Sequence, residues 1–476
     1  MHVSIRSVRL GLLPSETRIP FRYGSACLTA CPQSVVEVVA ETPSGIVSGF
    51  GGDCFPPLWF DKDATKSFEL QVEEMVFAIG TAAACFRDAF RTGRTVFDGW
   101  CDAHAETMRA VTERSLPRLL AAFGGGMLER ALLDATARAA NVSFSKGLAA
   151  DCFGIRPGRI HPELAGARLS DWIPAEPARH VWVRQTVGFA DPLGREELVE
   201  GVWPDDGFPV AIEDYLADSR VRYFKLKVGN HLERDVARLR AFAALAERYW
   251  GDAYRLTLDG NEQYARMADF ESLVDAIESD ANLATLWSNT LVIEQPLSRA
   301  AAMSADETRG IRELSARKPI IIDESDSDVH SFREAIDVGY RGVSSKNCKG
   351  PIKSLLNAGL ARRFTLRDPG RPMIVTGEDL CSVGVIPVQA DLCLAATLGL
   401  EHVERNGHHY HKGLDYLPPG ERRLALARHG DFYAERAGRI APRIRDGRFA
   451  IASLQCVGFG FDFAPDMGAR DPIELA

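Results

Sequence analysis

The sequence predicts an α/β protein, a modified (β/α)8 TIM barrel with an N-terminal α+β capping domain, and three observations carry that expectation. From Val181 onward, eight strand-like runs (181–187, 222–228, 254–259, 290–294, 319–323, 341–346, 372–376 and 400–404) alternate with amphipathic stretches such as 231–248, 265–278, 329–338 and 351–362. The chain ahead of them has a different texture, strand-like to about residue 60 and then helical. Three successive runs each end on a carboxylate: Leu256-Thr257-Leu258-Asp259, Leu291-Val292-Ile293-Glu294 and Ile320-Ile321-Ile322-Asp323. A parallel barrel gathers the C-terminal ends of its strands around one mouth, so this placement brings charged groups together. A doubly wound open sheet is the alternative, weakened because no glycine-rich phosphate loop follows the first strand.

Taken in order, residues 35–41 form the clearest early strand; Pro43-Ser44-Gly45 turns it and 46–51 returns, a hairpin. Residues 66–91 and 102–140 carry apolar side chains at three- and four-residue spacing and read as helices. Residues 1–140 are therefore expected to form the cap, and 141–179, irregular and holding several Gly and Pro, a linker or inserted loop. The barrel is expected over 180–440. The segment 441–476, with a short strand at 449–452 and then Gly458-Phe459-Gly460, is expected to pack back on the cap.

Composition narrows the function classes. Apolar residues make up 46% and charged residues 25% of 476, ordinary for a globular protein, and the net charge is −9 with both signs dispersed. No basic block suits nucleic acid or an anionic membrane, which favours a small-molecule partner. The ten cysteines show no CxxC pair or zinc-finger spacing and are expected as reduced thiols. Arginines stand where a signal peptide needs an apolar core, and no apolar run reaches the ~18 residues of a membrane span, so the expected compartment is the cytoplasm.

The three strand-end carboxylates are oxygen donors suited to a hard divalent cation, Mg²⁺ or alternatively Mn²⁺. Each could instead cap the helix that follows, but three on consecutive strands favour convergence. Glu324 competes with Asp323 for the third place, since neighbours on a strand face opposite sides. Lys225 and Lys227, two apart, share a face, and mutual repulsion beside a cation is expected to lower their pKa values and make one a general base. Lys346 closes the sixth strand, with Lys349 assigned to the loop beyond it. Strands two and six are diametrically opposed, so a central substrate has an ammonium on each side, an arrangement suited to taking a proton from one face and returning it to the other.

The ordered series KxK, DxN, EQP, DES and a lysine on the next strand resembles the enolase superfamily, in particular its muconate-lactonizing branch within the mandelate racemase/muconate lactonizing enzyme family. The resemblance implies that Asp259, Glu294 and Asp323 hold one Mg²⁺, that Lys227 and the opposing Lys346 are the acid/base pair, and that Lys225 assists. It further implies substrate contacts from Asn261 of the DxN motif, from Glu378 in Thr376-Gly377-Glu378, and from Tyr23 and Trp59 in two cap loops. It implies α-proton abstraction from a carboxylate substrate through a stabilised enediolate, with racemisation, epimerisation or cycloisomerisation as the leading outcome and acid-sugar dehydration second. No histidine lies between His330 and His402, which excludes a seventh-strand histidine base. The 35 residues from Asp259 to Glu294 imply an insertion after the third strand. His402, His408, His409 and His411 read as a polar surface loop, or as contacts to a substrate's far end.

Two other classes compete: a Schiff-base aldolase using Lys227 or Lys346, and a non-catalytic ligand-binding barrel. Neither requires the acidic triad together with both lysines. A symmetric homo-oligomer is expected for such a barrel.

Overall fold

The structure is a computed structural model and describes residues 1–24 and 26–475. The N-terminal layer is an antiparallel sheet. In it β1 (His2–Leu13) pairs with β4 (Gln33–Thr42), and β4 with β5 (Gly45–Cys54). Between them β2 (Glu16–Tyr23) and β3 (Ala26–Ala30) form a separate ribbon that reaches over the barrel.

Three helices cover the sheet: α1 (Phe68–Ala89), α2 (Val96–Thr112) and α3 (Arg118–Ala139). The first two start where a hydroxyl can accept an orphan amide: Ser67 caps α1 through Leu70 N, and Thr95, at the end of the short strand β6 (Arg94–Thr95), caps α2 through Asp98 N. Helix α3 is buried along most of its length and lies on β5 so closely that a Cβ at Gly49 would fall 2.2 Å from Ala131 O. The glycine is what allows the contact.

After α4 (Phe144–Ala149) and three short 3₁₀ turns, the chain enters eight parallel strands. They are β7 (His180–Val187), β8 (Tyr223–Lys227), β9 (Arg255–Asp259), β10 (Thr290–Glu294), β11 (Ile320–Ile321), β12 (Gly342–Ser345), β13 (Ile374–Gly377) and β14 (His402–Arg405). The hydrogen-bonded order runs β11-β10-β9-β8-β7-β14-β13-β12, and the parallel bridge Ile322–Val343 closes the ring. The expected insertion after the third barrel strand is an extra helix. Both α7 (Met267–Ser279) and α8 (Ala284–Asn289) intervene before β10, whereas a single α6 (Leu232–Trp250) joins β8 to β9.

The tail touches both layers. Strand β17 (Arg448–Ala450) pairs antiparallel with β7, and β18 (Asp471–Glu474) with β1. The ten cysteines are free, five of them buried. No helix among the described residues is long and apolar enough to cross a membrane.

Candidate active site

Side chains alternate along a strand, so β7 and β8 send every second residue into the barrel mouth. Arg184 and Thr186 point in from β7, and Lys225 and Lys227 from β8; Asp259, Glu294, Asp323, Lys346, Glu378 and Glu404 join them from successive strand ends. Lys225 Nζ stands at the centre, 2.8 Å from Glu294 Oε1, 2.9 Å from Glu378 Oε2, and 3.0 Å from both Glu404 Oε2 and Asp259 Oδ2. Lys227 donates to Asp259 Oδ2 at 2.6 Å, and Lys346 to Asp323 Oδ2 at 2.5 Å.

The charges interlock. Burial pulls the Lys225 pKa down, but the four carboxylates outweigh it and hold the ammonium well above the usual lysine range. Burial likewise works against Lys346, and Asp323 raises it on balance. The expectation that the lysine pair would lower each other's pKa is thus corrected for Lys225, because its neighbours are mostly carboxylates. Asp323 is held well below the carboxylate range: burial opposes this, while Lys346 and Lys349 win. Lys349, expected in the loop, is itself buried and reaches Asp323 Oδ1 at 3.2 Å. Glu294 goes the other way, raised by burial and by Asp259 and Glu378.

Of the neighbours in DES, Asp323 joins the lysine cluster. Glu324 is 1% exposed with neither carboxylate oxygen hydrogen-bonded, and burial, then Asp323 and Glu262, push it up to about 7.

A small pocket of about 30 Å³ opens onto this cluster, with Lys227, Asp259, Asn261, Lys346, Glu404 and Asn406 at its polar end. Phe21, Leu28, Pro56, Trp59 and Leu380 form an apolar opposite wall. The cap loops are pinned. Tyr23 donates to Pro57 O at 2.5 Å, Phe21 stacks on Tyr410 at 4.2 Å, and the Trp59 ring lies 4.7 Å from Lys346 Nζ. Arg299, paired with Glu262 at 2.8 Å, donates to Trp59 O and Phe60 O at 2.9 Å. Asn261 Oδ1 and Asn406 Oδ1 are buried without a partner and want a donor.

The structure therefore places Lys225, Lys227, Asp259, Asn261, Lys346, Tyr23 and Trp59 around one pocket. Glu294, Asp323 and Glu378 lie directly behind, in the salt-bridged layer. Glu404, Arg184 and Asn406 escaped the sequence reading. Glu404 closes a run of only His402-Val403, too short to register as an apolar strand end.

The late histidines form no surface loop and do not line the barrel-mouth pocket. His409 Nδ1 meets Tyr215 Oη at 2.9 Å, His408 Nε2 meets Gln185 Oε1 at 2.7 Å, and His402 Nδ1 meets Arg184 at 2.5 Å. Burial depresses His408 and His409 to about 3 and His411 to about 4.

Asp259, Glu294 and Asp323 place carboxylate oxygens, the donor type a hard divalent ion takes, on three adjacent strand ends. Here each is engaged by a lysine, Glu294 Oε2 lying 2.8 Å from Lys225 Nζ, and among the described residues no cluster of three such side chains is drawn together as a metal site.

A closed parallel barrel with charged strand ends under an α+β cap defines the class: a capped barrel that presents its chemistry at the C-terminal mouth. Residues 209–415, a little under half of the chain, match the family model described as Enolase C-terminal domain-like. Solved structures share the fold at low identity. A muconate lactonizing enzyme from Mycobacterium smegmatis, complexed with muconolactone, is 17% identical, with 98% of each chain covered and a TM-score of 0.60. A dipeptide epimerase from Cytophaga hutchinsonii, complexed with Mg and D-Ala-L-Val, is 16% identical over 100% of both chains, TM-score 0.55. An N-succinyl Arg/Lys racemase from Bacillus cereus is 17% identical, covering 85% of this chain and 87% of that one, TM-score 0.55. No curated protein matches.

Proposed function

We propose that the protein is an isomerase that removes the α-proton of a small carboxylate substrate and returns a proton to a racemised, epimerised or cyclised product. The observation that carries this reading is the shared pocket: Lys227 and Lys346 come from the second and sixth barrel strands, with Asp259, Glu294 and Asp323 on the strand ends between them. Strands so related lie across the barrel from each other, which suits one ammonium or amine on each face of the substrate.

Asp259, Glu294 and Asp323 would hold Mg²⁺. A bound ion of this kind supplies Lewis-acid polarisation of the substrate carboxylate. The chain's own residues do the rest. Lys227 exchanges the proton at the α-carbon on one face, and Lys346 on the other. Lys225 fixes the carboxylate layer. Asn261 and Asn406 accept hydrogen bonds from a substrate N–H or O–H, and Trp59 orients Lys346. The apolar wall of Phe21, Leu28, Pro56, Trp59 and Leu380 disfavours a polyhydroxy acid, which weighs against acid-sugar dehydration. The kinship with muconate-lactonizing enzymes and epimerases supports the same reading.

The test is proton NMR in D₂O with N-acyl amino acids, dipeptides, muconate-like diacids and sugar acids, with Mg²⁺ and then with chelator. Metal-dependent deuterium entry at an α-carbon, lost in Lys227→Ala or Lys346→Ala, is expected. Exchange that persists in chelator, or borohydride trapping of a lysine adduct, would overturn it.

A further inference from the structure

A second cavity, of about 290 Å³, lies on the outer side of β7. Gln185 points outward there to His408, while its neighbour Thr186 turns inward to Glu404. The cavity sits between α5 (Ile212–Ala217), the loop before it, and the hairpin of β15 (Tyr433–Arg436) and β16 (Arg439–Pro442). Its walls are mostly aromatic and aliphatic: Phe208, Tyr215, Ala434, Ala441, Pro442 and Ile444.

Two arginines line this cavity, Arg436 exposed and Arg443 half-buried, and among the described residues neither has a carboxylate partner. Arg436 donates Nε to Gly207 O at 2.9 Å. Arg443 donates Nη2 to the carbonyls of Gly430 and Asp431, at 3.1 and 3.4 Å, and its Nε is buried with no acceptor. The arginines next to them are neutralised: Arg18 pairs with Asp206 at 2.9 Å, and Arg439 with Asp206 at 2.9 Å and Asp415 at 3.0 Å. Glu435 is the lining's carboxylate and stays exposed to water. Buried donors are rarely left unmet in a finished protein, so the buried Arg443 Nε beside aromatic walls points to an absent acceptor.

We propose that this cavity is a second binding site, for a small organic monocarboxylate with a flat apolar body, held by Arg436 and Arg443. The guanidinium fork matches a carboxylate in two parallel hydrogen bonds. Phe208 and Tyr215 supply faces for the body. A phosphate ester would leave the apolar walls unused, and a cation would be repelled. Occupancy bears on the barrel mouth by two routes. Phe208 packs under Arg18, 5.8 Å away, and Arg18 sits on the same strand as Phe21 and Tyr23. His408 lies in α13 (Gly407–Tyr410), which follows directly on Asn406.

The test uses the full chain carrying Lys227→Ala and Lys346→Ala, so that binding at the barrel mouth is weakened. Titration calorimetry with 2-naphthoate and with 2-naphthamide is expected to show saturable binding of the acid, at least tenfold tighter than the amide. Arg436→Gln with Arg443→Gln should remove that tenfold preference and leave the thermal midpoint unchanged. Ala434→Phe, which fills the space, should abolish binding of both probes; if that variant fails to fold, the arginine pair decides alone. Equal affinity for acid and amide, an unchanged preference in the double arginine variant, or no saturation in the millimolar range would overturn the proposal.

Discussion

Lys225 and Lys227, two residues apart on one strand, differ in what they touch. Both line the pocket, but Lys225 answers four buried carboxylates, whereas Lys227 answers one. Removing the partner of a buried charge typically costs about 3–5 kcal/mol, so Lys225→Met is expected to lower denaturant-measured stability by that order. Lys227→Ala should leave the fold nearly intact and slow α-proton exchange by about 10²–10⁴-fold, the usual worth of a positioned acid or base, read by deuterium incorporation. The KxK spacing announced two lysines on one face, and the strand ends announced Asp259, Glu294 and Asp323. It was silent on Glu378 and Glu404 as neighbours of Lys225, because contacts across a barrel depend on shear and closure, which a linear pattern does not encode.

Helix α3 shows what an element adds. Its Glu129 accepts Trp100 Nε1 at 2.8 Å and also the Ile352 amide, tying the cap to α11 (Pro351–Arg367). Burial pushes Glu129 up to about 7, against the partial relief of those two donors. A carboxyl raised in the folded state favours its protonated form there. Its contribution is therefore fully present below about pH 4.5, is lost as pH rises towards 7, and is level above that. The loss is on the order of 3 kcal/mol, and a plot of thermal midpoint against pH should fall less steeply between pH 5 and 7 in Glu129→Gln than in the parent. On the facing strand, Gly49→Ala drives a methyl into the α3 backbone, and a loss of about 1–3 kcal/mol or more is expected by denaturant titration. The sequence marked 102–140, which holds α3, as helical from its apolar spacing. It could not mark that helix as buried on every side, since Glu129, Arg130 and Asp134 look like solvent residues until Trp100, Asp53 and Phe459 are seen to meet them.

At the scale of the whole molecule, the cap closes the mouth to about 30 Å³, room for a water or two, so a substrate enters only when the cap loops move. Arg299 is the barrel's hold on the loop at Trp59 and Phe60. Arg299→Ala should speed amide hydrogen exchange across 55–62 and raise KM several-fold, with a smaller change in kcat. The alternation of strands and helices was legible from Val181 onward because burial on both faces imposes long apolar runs. The seating of the cap was not, because it rests on loops whose geometry has no period.

The cap sheet also has a history in time. Strand β18 lies beside β1, yet a ribosome makes it some 458 residues after β1 ends. At 5–20 residues per second, that leaves one edge of β1 uncovered for roughly half a minute to a minute and a half. An unpaired edge is a template for a strand from another chain. Nascent copies crowded on one message would meet at this edge before β18 arrives, making the cap rather than the barrel the place where synthesis is most exposed to misassembly.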